Sequence, residues 1–123
     1  MALGSVAEEV VAPEFQCFKK PSGFSHEQAA AFFVGFVTAY NGLVQRGNLQ
    51  SGEYLLVTGA AGGMGAAAIQ LGKLLGAKVI AAASSDDKLQ FAKKLGADYT
   101  INYSTQDMKD QVSKITNGKM ADV

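Results

Sequence analysis

The chain has 123 residues, no formal net charge, 48% hydrophobic residues and 18% charged ones. That length suits one globular domain, and the neutral balance excludes a long-range field for nucleic acid or an anionic membrane. No apolar run approaches the roughly 20 residues of a membrane span, and residues 1–9 lack the basic region and apolar core of a secretory signal. The expected compartment is the cytoplasm. The single cysteine, Cys17, forms neither an internal disulfide nor a zinc site and reads as a small buried hydrophobe.

Val6 to Pro13 has strand-like composition, and Glu14 to Phe18 alternates polar and apolar as a half-buried strand does. Pro21-Ser22-Gly23 is a break. Ser25 followed by Gln28 predicts a capping box opening a helix over Glu27 to Phe33. A second helix is predicted from about Gly35 to Arg46, ending at Gly47-Asn48. His26, at the helix start, reads as a surface residue.

Ser51-Gly52 is a turn, and Tyr54 to Thr58 is a continuous apolar strand of the kind buried on both faces of a parallel sheet. Glycines follow, then a helix from Ala66 to Leu75 that ends at Gly76. Lys78 to Ala83 is the next strand. Ser85 is the N-cap of a helix over Asp86 to Leu95, with Asp86 and Asp87 at its positive dipole end and Gly96 closing it. Asp98 to Tyr103 is a third strand. Ser104 with Asp107 opens a last helix to about Thr116, Asn117-Gly118 follows, and Met120 to Val123 begins a fourth strand.

From residue 54 the order is β-α-β-α-β-α, which means parallel βαβ units. The expected fold class is α/β. It is a partial Rossmann fold of three parallel strands with helices, its fourth strand truncated, preceded by a strand and two connecting helices. The first strand, Tyr54 to Thr58, would then be an unprotected edge that invites pairing with a second copy.

The segment Gly59-Ala60-Ala61-Gly62-Gly63-Met64-Gly65 sits between a buried strand and a helix, the context that makes a glycine pattern a dinucleotide hypothesis. A helix N-terminus offers unpaired N–H groups and about half a positive charge to a pyrophosphate. In the register A-x-G-x-x-G, Gly62 permits close approach and Gly65 lets the helix pack on its strand, while Ala60 replaces the usual first glycine. The plainer reading is a tight strand–helix turn without a ligand.

An NAD site usually places Asp or Glu about 20 residues further on, against the ribose 2′-hydroxyl. Here that place reads Ala83-Ser84-Ser85, with Lys88 one turn later. A hydroxyl followed by a lysine suits a 2′-phosphate, so NADPH is favoured over NADH. Asp86 and Asp87 weigh against a strongly basic pocket, and a solvated helix lysine is the plainer reading of Lys88.

On these residues the chain resembles the zinc-independent medium-chain dehydrogenase/reductases, in particular the NADPH-dependent quinone oxidoreductases, from about Gly4 onward. Ala7 to Pro13 looks like the strand leaving that family's catalytic domain. Glu27 to Ala31 and Thr38-Ala39-Tyr40 look like its connecting helices. Gly59 to Gly65 matches its phosphate loop, with Met64 where Val is common. Leu95-Gly96-Ala97-Asp98 and Ile101-Asn102-Tyr103 match its third-strand region. The resemblance implies that Ala61, Gly62, Gly63 and Met64 line the pyrophosphate, that Ser84, Lys88 and Tyr103 surround the 2′-phosphate, and that Thr38 lies near the nicotinamide. Thr38 and Tyr103 also read as an ordinary helix threonine and a strand-end packing aromatic.

The resemblance implies residues 1–50 as the end of a catalytic domain plus connecting helices, and 51–123 as the first half of a nucleotide-binding domain. Most of the catalytic domain would precede residue 1 and the other nucleotide half-domain would follow residue 123. The implied reaction is hydride transfer from NADPH to a quinone or activated alkene. No metal is implied, no residue is a convincing general acid or base, and the chain alone is expected to be inactive. Two alternatives stand beside this. One is a truncated, non-catalytic chain that binds nucleotide or self-associates, as a homodimer or otherwise. The other is a short-chain dehydrogenase, whose T-G-x-x-x-G-x-G pattern fits Thr58, Gly59, Gly63 and Gly65 but whose Y-x-x-x-K pair is missing.

Overall fold

The computed structural model describes residues 6–123; Gly4, where the resemblance begins, lies outside them. The chain divides after Ala31 into two compact units.

In the first unit the expected strands are absent among the described residues. Glu14–Gln16 forms one turn of 3-10 helix instead, opened by Pro13. Its backbone bonds are local, Gln16 N–H to Pro13 O and Cys17 N–H to Glu14 O, both at 2.9 Å. An alternating pattern makes a strand only where a neighbouring strand offers a ladder, and Val11, Phe15 and Phe18 are exposed rather than half-buried. Cys17 is likewise exposed, not a buried hydrophobe.

The capping box forms as expected. Ser25 N–H donates to Gln28 Oε1 at 2.9 Å, and Gln28 N–H donates to Ser25 Oγ at 3.2 Å. It opens α1 (His26–Tyr40), with His26 exposed. The two expected helices are one, because a single helical glycine costs only about 1 kcal/mol and Gly35 does not interrupt the winding. The helix widens into a π-helical segment, Asn41–Arg46, and ends where Asn48 takes a φ of 47°.

The second unit carries the sheet: β1 (Tyr54–Thr58), α2 (Gly63–Leu74), β2 (Lys78–Ala83), α3 (Asp86–Lys94), β3 (Tyr99–Asn102) and α4 (Met108–Ile115). The three strands are parallel in the order β1-β2-β3. Period two along each strand sorts two cores. Leu55, Val57, Val79 and Ala81 pack with Ile69 of α2 and Ala92 of α3 on one face. Ile80, Ala82 and Ile101 pack with Val112 of α4 on the other. Hence β2, buried on both faces from Val79 to Ala83, reads as an unbroken apolar run.

Two expectations are corrected here. Ser104 does not open α4; the N-cap is Asp107, whose side chain accepts the Asp110 N–H at 2.9 Å. A carboxylate at the position adjoining the helix outcompetes a hydroxyl three residues earlier. The outer edge of β1 is also not bare. Asp122 N–H donates to Tyr54 O and Leu56 N–H to Val123 O, both at 2.9 Å, and the Asp122 carboxylate accepts the Tyr54 N–H at 2.9 Å. Residues 122 and 123 thus lie along β1 as the expected fourth strand would, opposite β2.

Candidate functional site

The site is built where β1 hands over to α2. Gly59 takes a φ of 60°, a left-handed turn that a side chain disfavours. Ala60 is fully buried and its N–H reaches Ala82 O at 3.2 Å, extending the β1–β2 ladder past the strand. Gly62 is the N-cap of α2, extended at φ −77° and ψ 164°, with no side-chain cap. The N–H groups of Gly63, Met64 and Gly65 therefore open the helix without intrahelical acceptors, and no acidic residue sits in that turn. The arrangement suits an anion.

The glycines have different jobs. A methyl group at Gly65 would lie 2.5 Å from Gly59 O and 2.8 Å from Ala60 Cα, so its absence is what lets α2 start against β1. A methyl at Gly63 would meet nothing within 4 Å. Neither backbone nor packing demands glycine there, and the open space leaves room for a bound group to approach.

Gly59, Ala61, Gly62, Ala83, Ser84, Lys88 and Tyr103 line one cleft of about 340 Å³. That volume falls at the small end of the range for ligand pockets. Lys88 Nζ donates to Ser84 Oγ at 3.1 Å, and Ser84 O accepts the Ser104 hydroxyl at 3.0 Å. Tyr103 N–H donates to Ala83 O at 3.1 Å, which holds its backbone at the cleft's edge, with the residue half-exposed. Lys88 makes no ion pair among the described residues.

Of the residues singled out in the sequence, the cleft brings together Ala61, Gly62, Ser84, Lys88 and Tyr103. Gly63 and Met64 form the adjoining first turn of α2, with Met64 half-exposed. Thr38 is not among the lining residues; its hydroxyl donates to Val34 O at 2.7 Å, the back-bond of a helix threonine. Gly59 and Ala83 line the cleft without having been assigned to it, since they contribute mainly backbone and leave no side-chain signal. Among the described residues no group of three or more His, Cys, Asp and Glu gathers for a metal ion.

A strand, a glycine turn and a helix N-terminus at the edge of a parallel sheet constitute part of a Rossmann-type fold. Residues 63–123 match the family model described as zinc-binding dehydrogenase. The chain belongs to the medium-chain dehydrogenase/reductase family, and within it is quinone oxidoreductase-like. It is 44% identical to the quinone oxidoreductase-like protein 2 homolog of Nematostella vectensis, over 98% of this chain and 33% of that protein. It superposes on the Escherichia coli quinone oxidoreductase complexed with NADPH with a TM-score of 0.74 and 40% identity, over 80% of this chain and 30% of that one. An NAD-dependent alcohol dehydrogenase superposes with a TM-score of 0.88 and 46% identity, over 91% of this chain and 33% of that one. The chain spans about a third of the length of these relatives.

Proposed function

We propose that this chain carries the NADPH-binding section of an oxidoreductase that transfers hydride to a quinone or an activated alkene. The observation that carries the reading is the convergence of an uncapped helix N-terminus with the Ser84–Lys88 pair and Tyr103 on one cleft. In this reading the N–H groups of Gly63, Met64 and Gly65 hold the pyrophosphate, with Ala61 and Gly62 beneath it. Ser84, Lys88 and Tyr103 hold the 2′-phosphate, and Thr38 lies toward the nicotinamide. The bound cofactor supplies the hydride, and the protein supplies position and charge.

Relatives solved with NADPH and relatives named for NAD both resemble this chain. The choice of NADPH rests on the neutral, lysine-flanked end of β2. Residues 1–50 are assigned to the end of a catalytic domain with its connecting helices, and 51–123 to the first half of the nucleotide domain. The chain by itself is expected to turn over no substrate. We place the protein in the cytoplasm; among the described residues no helix is long and apolar enough to cross a membrane.

Calorimetric titration of the chain with NADPH and NADH, with and without Lys88→Ala, tests the reading. NADPH is expected to bind roughly tenfold tighter, about 1.4 kcal/mol, and Lys88→Ala to erase the difference. Equal affinities in the unmodified chain overturn the NADPH assignment.

A further inference from the structure

Three charged residues, Asp86, Asp87 and Lys88, follow one another at the start of α3. A carboxylate at this end of a dinucleotide cleft suits a free ribose hydroxyl and repels a phosphate. The structure separates the charges by face. Lys88 lines the cleft beside Ser84 and Tyr103 and is the sole charged residue of that lining. Asp86 lines a different hollow, with Asn102, Gln106 and Lys93. Asp87 lines neither.

What holds Asp86 on its own side is Asn102, whose Nδ2 donates to Asp86 Oδ1 at 2.9 Å. The amide has no freedom to do otherwise. Its Oδ1 accepts the Ser104 N–H at 3.1 Å, and its own backbone N–H donates to Gln106 Oε1 at 2.9 Å. A carboxylate only accepts and a backbone N–H only donates, so the chemistry fixes which end of the amide is which. Ser104 in turn donates its hydroxyl to Ser84 O, tying the same loop to the cleft wall.

We propose that Asn102 is a specificity-positioning residue: by holding the Asp86 carboxylate on the far side of the turn, it leaves Lys88 as the charge the cleft presents, which favours a ribose bearing a 2′-phosphate. This rests on the nucleotide reading above and goes beyond it. Asn102 touches no ligand in this account; it acts through Asp86.

The test uses the whole chain and two probes that differ only in the 2′-phosphate, adenosine 2′,5′-bisphosphate and adenosine 5′-monophosphate. Their dissociation constants are measured for the unmodified chain, Asn102→Ala, Asp86→Asn and the double variant. Asn102→Ala is expected to lower the preference for the bisphosphate about fivefold, and the double variant to restore it to within about twofold. Asp86→Asn alone is expected to change the preference less than about twofold, since the charge it removes already faces away. That arm holds even where Asn102→Ala folds poorly. Asn102→Ala weakening both probes equally, without rescue by the second change, would mark a merely structural residue and overturn the proposal. So would Asp86→Asn alone raising the preference about fivefold or more. A chain that binds both probes equally overturns the NADPH assignment and this proposal with it, and a chain that binds neither overturns the nucleotide reading itself.

Discussion

Gly65 and Gly63 are two residues apart in the first turn of α2, yet a methyl group has opposite consequences at the two positions. At Gly65 it would press on Gly59 O at 2.5 Å and on backbone atoms of Ala60. Gly65→Ala is therefore expected to cost about 1–3 kcal/mol and to abolish nucleotide binding with it. At Gly63 the methyl enters open space within the first turn of a helix. Gly63→Ala is expected to leave stability unchanged or raise it by up to about 1 kcal/mol, while weakening NADPH. Thermal melts with and without nucleotide read both effects; equal loss of stability at the two positions would refute the division. The sequence pattern already gave Gly65 to packing, and the resemblance put Gly63 against the pyrophosphate. What neither shows is the distance to the atoms beyond each missing Cβ, which only the structure supplies.

Among the elements, the junction of α2, β2 and β3 depends on Asp98. Its carboxylate accepts both hydrogen bonds of Lys73 Nζ at 2.7 and 2.8 Å and the Val79 N–H at 2.7 Å. Burial raises the carboxyl pKa, but the hydrogen bond from Lys73 and that from Val79 outweigh it, and the net displacement is downward. A lowered folded pKa means stabilisation that is complete above the ordinary carboxylate pKa near 3.9 and lost as pH falls through the lowered value. Because both side chains are about a third exposed, solvent screening reduces the pair's contribution. Asp98→Asn is expected to cost about 1 kcal/mol at pH 7 and progressively less below about pH 4. Denaturant melts at pH 7 and pH 3 check this; a pH-independent difference would assign the loss to packing. The Leu95-Gly96-Ala97-Asp98 run was legible as the approach to a strand. Asp98's partners were not, since Lys73 lies 25 residues away in sequence. At the same scale, local chemistry sufficed for the Ser25–Gln28 box and for β1 and β2, while the alternation around Phe15 misled because among the described residues no strand pairs with it.

For the whole molecule, the second unit leaves Phe33, Val34, Val37 and Tyr40 of α1 half-exposed, a run of apolar surface of the kind that marks an interaction face. On that basis the isolated chain is expected to self-associate, and light scattering that returns the mass of one chain at high concentration would refute this. The edge of β1 is a weaker cause than the sequence implied, because residues 122 and 123 already occupy Tyr54 and Leu56. What the sequence by itself determined was the succession of strands and helices and the location of the phosphate loop. These follow from apolar runs, glycines and caps, all interactions within a few residues along the chain. The resemblance implied that Ser84, Lys88 and Tyr103 gather around the 2′-phosphate, but only the tertiary structure decided the cleft they line with Gly59 and Ala83, that Asp86 turns away from it, and that residues 122 and 123 hydrogen-bond along β1. Each of these is a meeting of groups far apart in sequence, governed by parallel strand register and by which face of the sheet a side chain takes.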